Sequence, residues 1–260
     1  MTKTVRLFRI PISKVTEKEA VEEIVSLAKR GRTGRAAFVA TLNVDFVTNA
    51  VSSWPFGGNE ELWGYLRNAD MVTADGMPVV WLSKILFNPL PARVTGADLV
   101  PPLCRRCAEE GLSIYVLGGW GPVLEAAFEK LRAQAPGLKV AGYDPCYVKM
   151  DADQPEIVER INAARPDLLF VALGNPKQEL WMGRNAAKID VPVVMGVGGT
   201  FNFLAGKVKR APKWMQHGGM EWLYRIKQEP RRLWRRYAYG LVKFSYLSIL
   251  QVLGRFHGRG

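Results

Sequence analysis

The chain contains 260 residues, of which 36 are Lys or Arg and 24 are Asp or Glu, so its net charge is +12 at neutral pH. This length suits one large α/β domain or two small ones, and 48% hydrophobic with 23% charged residues is ordinary for a globular protein. The first twenty residues lack the apolar core of a signal peptide, and the stretch from Leu241 to Leu253 is too short and too polar to span a bilayer. These features predict a cytoplasmic protein that touches a membrane without crossing it.

Short apolar runs alternate with amphipathic segments over the first 204 residues, which is typical of βα units that build a mostly parallel sheet. The predicted strands are Ala36–Thr41, Met71–Thr73, Ser113–Leu117, Lys139–Tyr143, Leu168–Leu173 and Val191–Val197. The predicted helices are Ala20–Ala28, which a capping box of Thr16 and Glu19 precedes, Pro78–Leu86, Leu99–Glu110, Val123–Ala135, Pro155–Ala164 and Lys177–Ala187.

A polar or glycine-rich turn follows five of these strands. The turns begin at Thr41, Ala74, Gly118, Gly174 and Gly198. Ligands of such folds bind at the carboxyl ends of the strands, so the five turns predict one shared crevice.

Asp75 lies in the second of these turns, directly before Gly76. A carboxylate at a strand end can accept a proton from an attacking hydroxyl and so act as a general base. An aspartate that shapes the turn or caps the next helix is the alternative that the residue type alone favours.

Two glycine-containing turns are suited to bind an anion at the start of a helix. In the first, Gly118–Pro122, a tight strand-to-helix turn explains the glycines equally well. In the second, Gly174–Glu179, Lys177 and Gln178 are placed to bind an anion or a sugar hydroxyl, or are simply residues of the first helical turn.

Asp151 and Asp153 form the DxD pattern with which many glycosyltransferases hold a metal ion and a nucleotide diphosphate. They also lie just before Pro155, where a helix begins and acidic residues are favoured. No strand end delivers them into the crevice, so we expect a capping role and no metal site.

Cys104 and Cys107 form a CxxC motif inside a predicted helix, and the third cysteine, Cys146, is distant in sequence. With no second motif of this kind and only two histidines, the chain is not expected to bind zinc. We expect thiols that are buried or without a chemical role.

The segment from Ala205 to Gly260 carries 13 basic residues and only two acidic ones, Glu221 and Glu229, whereas the rest of the chain is nearly neutral. This segment, the tail, also contains three Trp and four Tyr residues. Basic and aromatic residues together favour an anionic membrane surface, although they also suit single-stranded nucleic acid or a merely solvated helical face. The neutral body argues against nucleic acid, since such a protein would carry a basic face on its body too.

The tail is predicted to contain a helix from Arg231 to Leu253. Helical spacing places Leu233, Tyr237, Leu241 and Phe244 on one face, which we expect to lie in the membrane interface. The flanking basic residues are Arg232, Arg235, Arg236 and Lys243.

Several strings, read together, resemble the WecG/TagA/CpsF family of glycosyltransferases over about Thr41 to Tyr237. In the body these are Ala74–Gly76, Arg93–Leu99, Gly174–Glu179 and Gly196–Phe201. In the tail they are Lys209–Trp214, Gly219–Arg225 and Glu229–Leu233.

The resemblance implies a Rossmann-like α/β domain, residues 1–204, with helices on both faces of its sheet, and a basic aromatic C-terminal appendage, residues 205–260, that binds the membrane and closes the active site. It implies inverting, metal-independent transfer of N-acetylmannosamine, its uronic acid or glucose from a UDP-sugar to an undecaprenyl-diphosphate-linked saccharide at the inner face of the cytoplasmic membrane. No cofactor is expected, and self-association into a homo-oligomer is left open.

The same resemblance assigns roles to individual residues. Asp75 matches the family's proposed base. The residues matched to donor and acceptor binding are Thr41, Asn43, Arg93, Gln178, Arg225, Arg232 and Arg235.

Overall fold

The computed structural model describes residues 2–145, 148 and 154–256, without the side chains of His217 and Arg232. The strands are β1 (Thr4–Leu7), β2 (Ile10–Ser13), β3 (Ala37–Leu42), β4 (Met71–Ala74), β5 (Ser113–Leu117), β6 (Lys139–Asp144), β7 (Leu168–Val171) and β8 (Val193–Gly196). The helices of the body are α1 (Glu17–Lys29), α2 (Val44–Ala50), α3 (Glu60–Arg67), α4 (Met77–Ile85), α5 (Gly96–Glu110), α6 (Gly121–Gln134), α7 (Pro155–Ala164), α8 (Lys177–Asn185) and α9 (Thr200–Ala205). The tail contains α10 (Lys213–His217), α11 (Glu221–Gln228) and α12 (Pro230–Val252).

A six-stranded parallel sheet in the order β4-β3-β8-β7-β5-β6 forms the centre of the molecule. Helices cover both faces. Side chains of β3 alternate between two apolar cores, since Phe38 and Leu42 contribute to one and Val39 to the other. The predicted α/β class and parallel sheet are therefore confirmed, as are the six strands and six helices predicted for the body, within a few residues at their ends.

The antiparallel hairpin of β1 and β2 was not predicted from the sequence. Its turn residues, Phe8 and Arg9, both have left-handed backbones, with φ of 53° and 63°, where Asn and Gly are the usual residues. The tail supplies part of the reason that Phe8 is tolerated there. Its ring packs edge-on against Phe244 and Phe256, and its backbone N–H donates to the side-chain oxygen of Gln251 at 2.7 Å.

The C-terminal half of α12 packs into the same core as this hairpin. Phe244, Leu247 and Gln251 are buried, and the ammonium group of Lys243 donates to the carbonyl oxygens of Thr48 and Gly57. The expectation that Lys243 flanks a membrane-binding face of the helix was therefore wrong, because this side chain is buried in the protein. The boundary after Leu204 marks a change of charge, while packing joins the end of the tail to the body.

The set of residues predicted to form the membrane face of α12 was also wrong. Leu233 and Phe244 are 4% and 7% exposed and face the protein, whereas Leu241 is 63% exposed. The helix has a second apolar face, directed to solvent, which we call the outer stripe. Its members are Trp234, Leu241, Val242, Ile249, Val252 and Leu253. No helix of the described chain, α12 included, is long and apolar enough to cross a bilayer.

The thiols of Cys104 and Cys107 are free and buried within α5, as predicted. Burial raises the pKa of the Cys107 thiol to about 12, so it stays protonated and unreactive at neutral pH. Cys146 lies outside the described residues.

Candidate active site

The carboxyl ends of the parallel strands lie at one edge of the sheet, so the turns identified in the sequence meet there. Asp75 follows β4, and its backbone N–H donates to the carbonyl of Leu42 on β3 at 2.8 Å. The next strand in the sheet, β8, brings Gly198 to the same edge. Three adjacent strands thus form the floor around Asp75.

Arg93 is held beside Asp75 by a backbone contact. The N–H of Val94 donates to the carbonyl of Ala74 at 2.8 Å, so the segment that carries Arg93 is attached to the end of β4. The guanidinium of Arg93, only 14% exposed, donates to Glu221 of α11 at 3.1 Å and lies 3.7 Å from Asp98 of α5. Arg93, a residue of the body that lies beside the predicted base Asp75, is therefore paired with Glu221 of the tail.

The pKa of Asp75 is raised to about 7. Burial is the main cause, and the negative charges of Glu221 and Asp98 add to it, while the positive charges of Arg93 and Arg225 oppose it. A carboxyl group with this pKa changes its charge near neutral pH, which suits a group that accepts a proton during catalysis.

Asn43 and Thr41 come from the end of β3. The side-chain oxygen of Asn43 accepts from the backbone N–H groups of Asp45 and Phe46, so this residue caps α2. Thr41 is 4% exposed, and its hydroxyl lies 3.4 Å from the carbonyl of Gly196 on β8. Thr41 therefore belongs to the buried floor beneath the crevice, and its role in binding substrate stays a prediction.

Gln178 organises the turn between β7 and α8. Its side-chain oxygen accepts from the backbone N–H groups of Gly174 and Gly198, at 3.1 and 2.9 Å, and so links two strand ends. Its side-chain nitrogen donates to Glu179 at 2.5 Å, and Asn175 donates to the same carboxylate at 2.9 Å. With this carboxamide engaged on both sides, direct contact of Gln178 with substrate stays a prediction.

Glu179 was not among the predicted site residues, yet it is completely buried. Burial raises its pKa to about 7, although the hydrogen bonds from Gln178 and Asn175 act in the opposite direction. The sequence signal was its place at the end of the Gly174–Glu179 string. Its burial at the edge of the crevice makes it a support for this turn.

The Gly118–Pro122 turn has the geometry of a tight strand-to-helix connection. Gly118 has φ of 86°, and a Cβ there would lie 2.6 Å from the side chain of Leu173. The left-handed backbone and the close packing account for the glycine, which agrees with the interpretation of this motif as a tight strand-to-helix turn.

The first part of the tail lies over the crevice. Gly219, between α10 and α11, has φ of 70°, and a Cβ there would lie 2.8 Å from that of Met77 on α4. Arg210 and Arg225 both approach the ring of Phe203, at 6.0 and 5.1 Å, and Arg225 is near enough to Asp75 to lower its pKa. The structure therefore brings Arg225 near Asp75, and its role in binding the diphosphate stays a prediction.

The other two predicted tail arginines are located on α12. Arg232 falls in its first turn, and its side chain lies outside the described residues. Arg235 is exposed, with its guanidinium 5.3 Å from the ring of Trp234. Their binding roles stay predictions. Arg236 instead pairs with Asp45 of α2 at 2.5 Å and so attaches the start of α12 beside Asn43.

In the described part of the chain, no three His, Cys, Asp or Glu side chains are grouped so that they could hold a metal ion. Asp151 and Asp153 lie outside the described residues.

A parallel sheet with helices on both faces belongs to the doubly wound α/β class, in which ligands bind at the carboxyl ends of the strands, where Asp75 and the arginines lie. The chain belongs to the glycosyl transferase WecG/TagA/CpsF family, whose sequence profile matches residues 5–258. It is thus a glycosyltransferase, and the resemblance seen in its motifs is confirmed.

Two relatives share the name N-acetylglucosaminyldiphosphoundecaprenol N-acetyl-beta-D-mannosaminyltransferase. The protein of Bacillus spizizenii is 34% identical over 202 residues, which are 78% of this chain and 75% of the relative. The protein of Bacillus subtilis is 30% identical over 200 residues, which are 77% of this chain and 74% of the relative.

Proposed function

We propose that this protein transfers N-acetylmannosamine from a UDP-sugar to N-acetylglucosaminyl-diphosphoundecaprenol, with inversion and without a metal ion, at the inner face of the cytoplasmic membrane. The names of the two Bacillus relatives support the choice of sugar and acceptor. The observation that carries the mechanism is the carboxyl group of Asp75, which lies at a strand end in a crevice with arginines and has its pKa raised to about 7.

An inverting displacement needs one base on the side of the acceptor. In its ionised form Asp75 accepts the proton of the acceptor hydroxyl as that oxygen attacks the anomeric carbon and the bond to UDP breaks. The proton ends on the carboxylate, and the electron pair of the broken bond leaves with UDP. One base is sufficient for this step.

The leaving diphosphate needs positive charge, which arginine supplies through several N–H donors in a fixed plane. Arg93 and Arg225 both influence the charge of Asp75, so they lie on the side of the crevice where the reaction takes place. The helix α5 also begins there, since a Cβ on Gly96 would lie 3.7 Å from the side chain of Thr41. Its N-terminal backbone N–H groups add to the attraction of an anion.

The lipid-linked acceptor requires access to a membrane, and two apolar surfaces support this. The outer stripe of α12 presents large apolar side chains to solvent, and Arg235 borders it. On α4, which begins directly after Asp75 and Gly76, Trp81 and Ile85 are exposed, and Phe87 just beyond it is 95% exposed. Exposed aromatic and aliphatic side chains beside basic ones are typical of interfacial membrane contact.

A donor screen tests the activity. UDP-N-acetylmannosamine, its uronic acid and UDP-glucose are each offered with a polyprenyl-diphosphate N-acetylglucosamine acceptor, in EDTA and in Mg²⁺ or Mn²⁺. We expect turnover with the first donor in EDTA. Dependence on added metal would instead favour the DxD pair, and no turnover with any donor would remove the proposed reaction.

Asp75→Asn tests the base. The rate should fall by about two to four orders of magnitude, as is usual when a general base is lost, while UDP binding is retained. In the wild type kcat/KM should rise with pH through about 7, because the ionised form is the active one. Near-normal turnover of the variant would exclude Asp75 as the base.

Thermal unfolding of the same variant provides its control for folding. The raised pKa means that the folded state keeps a proton that the unfolded chain loses, so wild-type stability falls as pH rises from about 4 to about 7. The stability of Asp75→Asn should not fall over this pH range, because asparagine does not titrate. Its Tm should therefore be higher than that of the wild type above pH 7. A lower Tm there would show a damaged fold and make the kinetic result uninformative about proton transfer.

A further inference from the structure

The crevice contains a closed set of four ion pairs that joins the tail to the body. Arg93 and Asp98 come from the body, and Arg210 and Glu221 come from the tail. Arg93 lies 3.1 Å from Glu221 and 3.7 Å from Asp98, and Arg210 lies 2.6 Å from Asp98 and 3.8 Å from Glu221. Positive and negative groups thus alternate around a ring, which we call the crevice ring.

The pairs of this ring are unequal. The guanidinium of Arg93 donates a hydrogen bond to Glu221, whereas its 3.7 Å separation from Asp98 is too long for one. Asp98 takes its own short hydrogen bonds from Arg210 at 2.6 Å and from Thr95 at 2.7 Å. The orientation of Arg93 therefore depends on the tail through Glu221.

The helix that carries Glu221 is otherwise attached through side chains that are not buried, such as Trp222 against Tyr237 of α12 and Arg225 against Phe203. Among the described side chains of α11 none is buried, so an apolar core does not hold this helix down. All four side chains of the ring are less than 26% exposed. When an ion pair is shielded from water to this degree, removing one partner leaves the other charge uncompensated, which is costly.

Composition gives an independent reason to consider Glu221. The tail has 13 basic residues and only two acidic ones, and one of these two is placed against Arg93 at the predicted base. A tail that served only to attract anionic lipid would gain nothing from an acid there.

We infer that Glu221 is a positioning residue, which holds Arg93 in place beside Asp75 and fixes α11 over the crevice. This inference rests on the proposed transfer reaction for its kinetic consequences. Glu221 does not touch the reacting atoms. It acts through Arg93 and through the charge that Asp75 experiences, so its loss should alter the pH dependence of the rate as well as its size.

The test compares Glu221→Gln with Glu229→Gln. Both variants remove one negative charge from the tail, and Glu229 lies outside the ring, at the start of α12. The measurements are kcat/KM against pH and amide hydrogen exchange of residues 221–228. We expect Glu221→Gln to lower kcat/KM at least tenfold and Glu229→Gln to stay within about threefold of the wild type.

The direction of the pH effect separates positioning from charge alone. Arg93 lowers the pKa of Asp75 and has a larger effect than Glu221, which raises it. If Glu221→Gln frees Arg93, the acidic limb of the profile should move to higher pH, whereas loss of the charge with Arg93 still in place would move it to lower pH. The amide groups of α11 should exchange faster. Glu221→Asp keeps the charge and shortens the side chain, so it should restore the position of the limb and part of the rate.

Unchanged or increased kcat/KM in Glu221→Gln would overturn the inference, and an increase would mean that Glu221 blocks Arg93 from the donor. A lower rate with an acidic limb that is unmoved or moves to lower pH would also overturn it, because Arg93 would then have kept its place beside Asp75. Amide exchange does not require turnover. If the wild type transferred no sugar, the proposed reaction would fail while the exchange of α11 still tested the ring.

Discussion

The two parts of the tail share a basic composition but are attached to the body in different ways. The first part, α10 and α11, is held over the crevice by ion pairs, by Arg225 against Phe203 and by the close approach of Gly219 to α4. The second part, α12, is anchored in the core through Phe244 and Leu247. Polar attachment suits a segment that opens and closes, and apolar attachment suits one that stays in place.

Lys243 shows how firmly the second part is held. Its ammonium group reaches through the core to two backbone carbonyls, and its side chain is 1% exposed. Burial lowers its pKa, so the charge costs energy that the two hydrogen bonds must offset. A positive charge in the tail is thus not automatically a contact for anionic lipid.

The largest effect on folding stability is expected from Phe244→Ala. The ring contacts Phe8 at the hairpin turn, and removing a buried aromatic side chain of this size costs about 3–5 kcal/mol. Urea unfolding measures this change. Leu241→Ala, three residues earlier on the exposed face, should change the free energy of unfolding by less than about 0.5 kcal/mol.

Equal losses in these two variants would contradict the division of α12 into a core face and an outer stripe. A small loss in both would mean that the helix is not anchored in the core, and that the whole tail is as loosely attached as α11.

Gly219→Ala should have a smaller effect on global stability and a larger one on activity. The added Cβ meets Met77, and the left-handed backbone is unfavourable for alanine, at a cost of about 1–2 kcal/mol. Because α11 lacks a buried face, we expect local release of residues 213–228 instead of unfolding. Amide exchange there should increase and kcat/KM should fall at least tenfold.

Gly64→Ala on α3 provides the matched control, since a Cβ at that site meets nothing within 4 Å. It should leave activity unchanged. Full activity in Gly219→Ala would mean that docking of α11 on α4 is not needed for transfer.

The parallel sheet could be predicted from sequence because its buried strands are short apolar runs between helical segments. The hairpin could not, since the turn residues Phe8 and Arg9 carry no local signal and Phe8 is stabilised by contacts some 240 residues away. The short helix α2 was missed for a related reason. It has only seven residues and is capped by Asn43, a residue that the sequence presents as part of the crevice.

The positions of site residues that follow a strand could be predicted from the sequence. The positions of site residues in the tail were harder to predict. Asp75 follows β4, so its place in the crevice followed from the parallel sheet, whereas Arg93 was assigned to the pocket only by the family motifs. Glu221 approaches them from a helix 128 residues beyond Arg93, and no periodicity indicates that contact. The available signals were its rarity as an acid within a basic segment and its place in the Gly219–Arg225 string.

Substitutions in the outer stripe should have the smallest effect on stability. They should instead weaken binding of the protein to membranes. Ile249→Ser combined with Val252→Ser removes apolar surface that is 59% and 51% exposed, so the free energy of unfolding should change by less than about 0.5 kcal/mol per site. If the stripe enters the headgroup region of a bilayer, partition into anionic vesicles should fall by about tenfold or more. Co-sedimentation measures this.

Arg235→Gln separates the electrostatic contribution from the apolar one. A basic residue near an anionic surface contributes about 1 kcal/mol, and salt weakens that attraction. The Arg235 variant should therefore bind vesicles less well at low salt and resemble the wild type at high salt, whereas the serine double variant should be weaker at both. Single-stranded DNA serves as a second polyanion at matched salt. Serine variants that bind vesicles like the wild type would show that the outer stripe does not enter the membrane, and would leave α4 with its exposed Trp81 and Phe87 as the apolar contact to test.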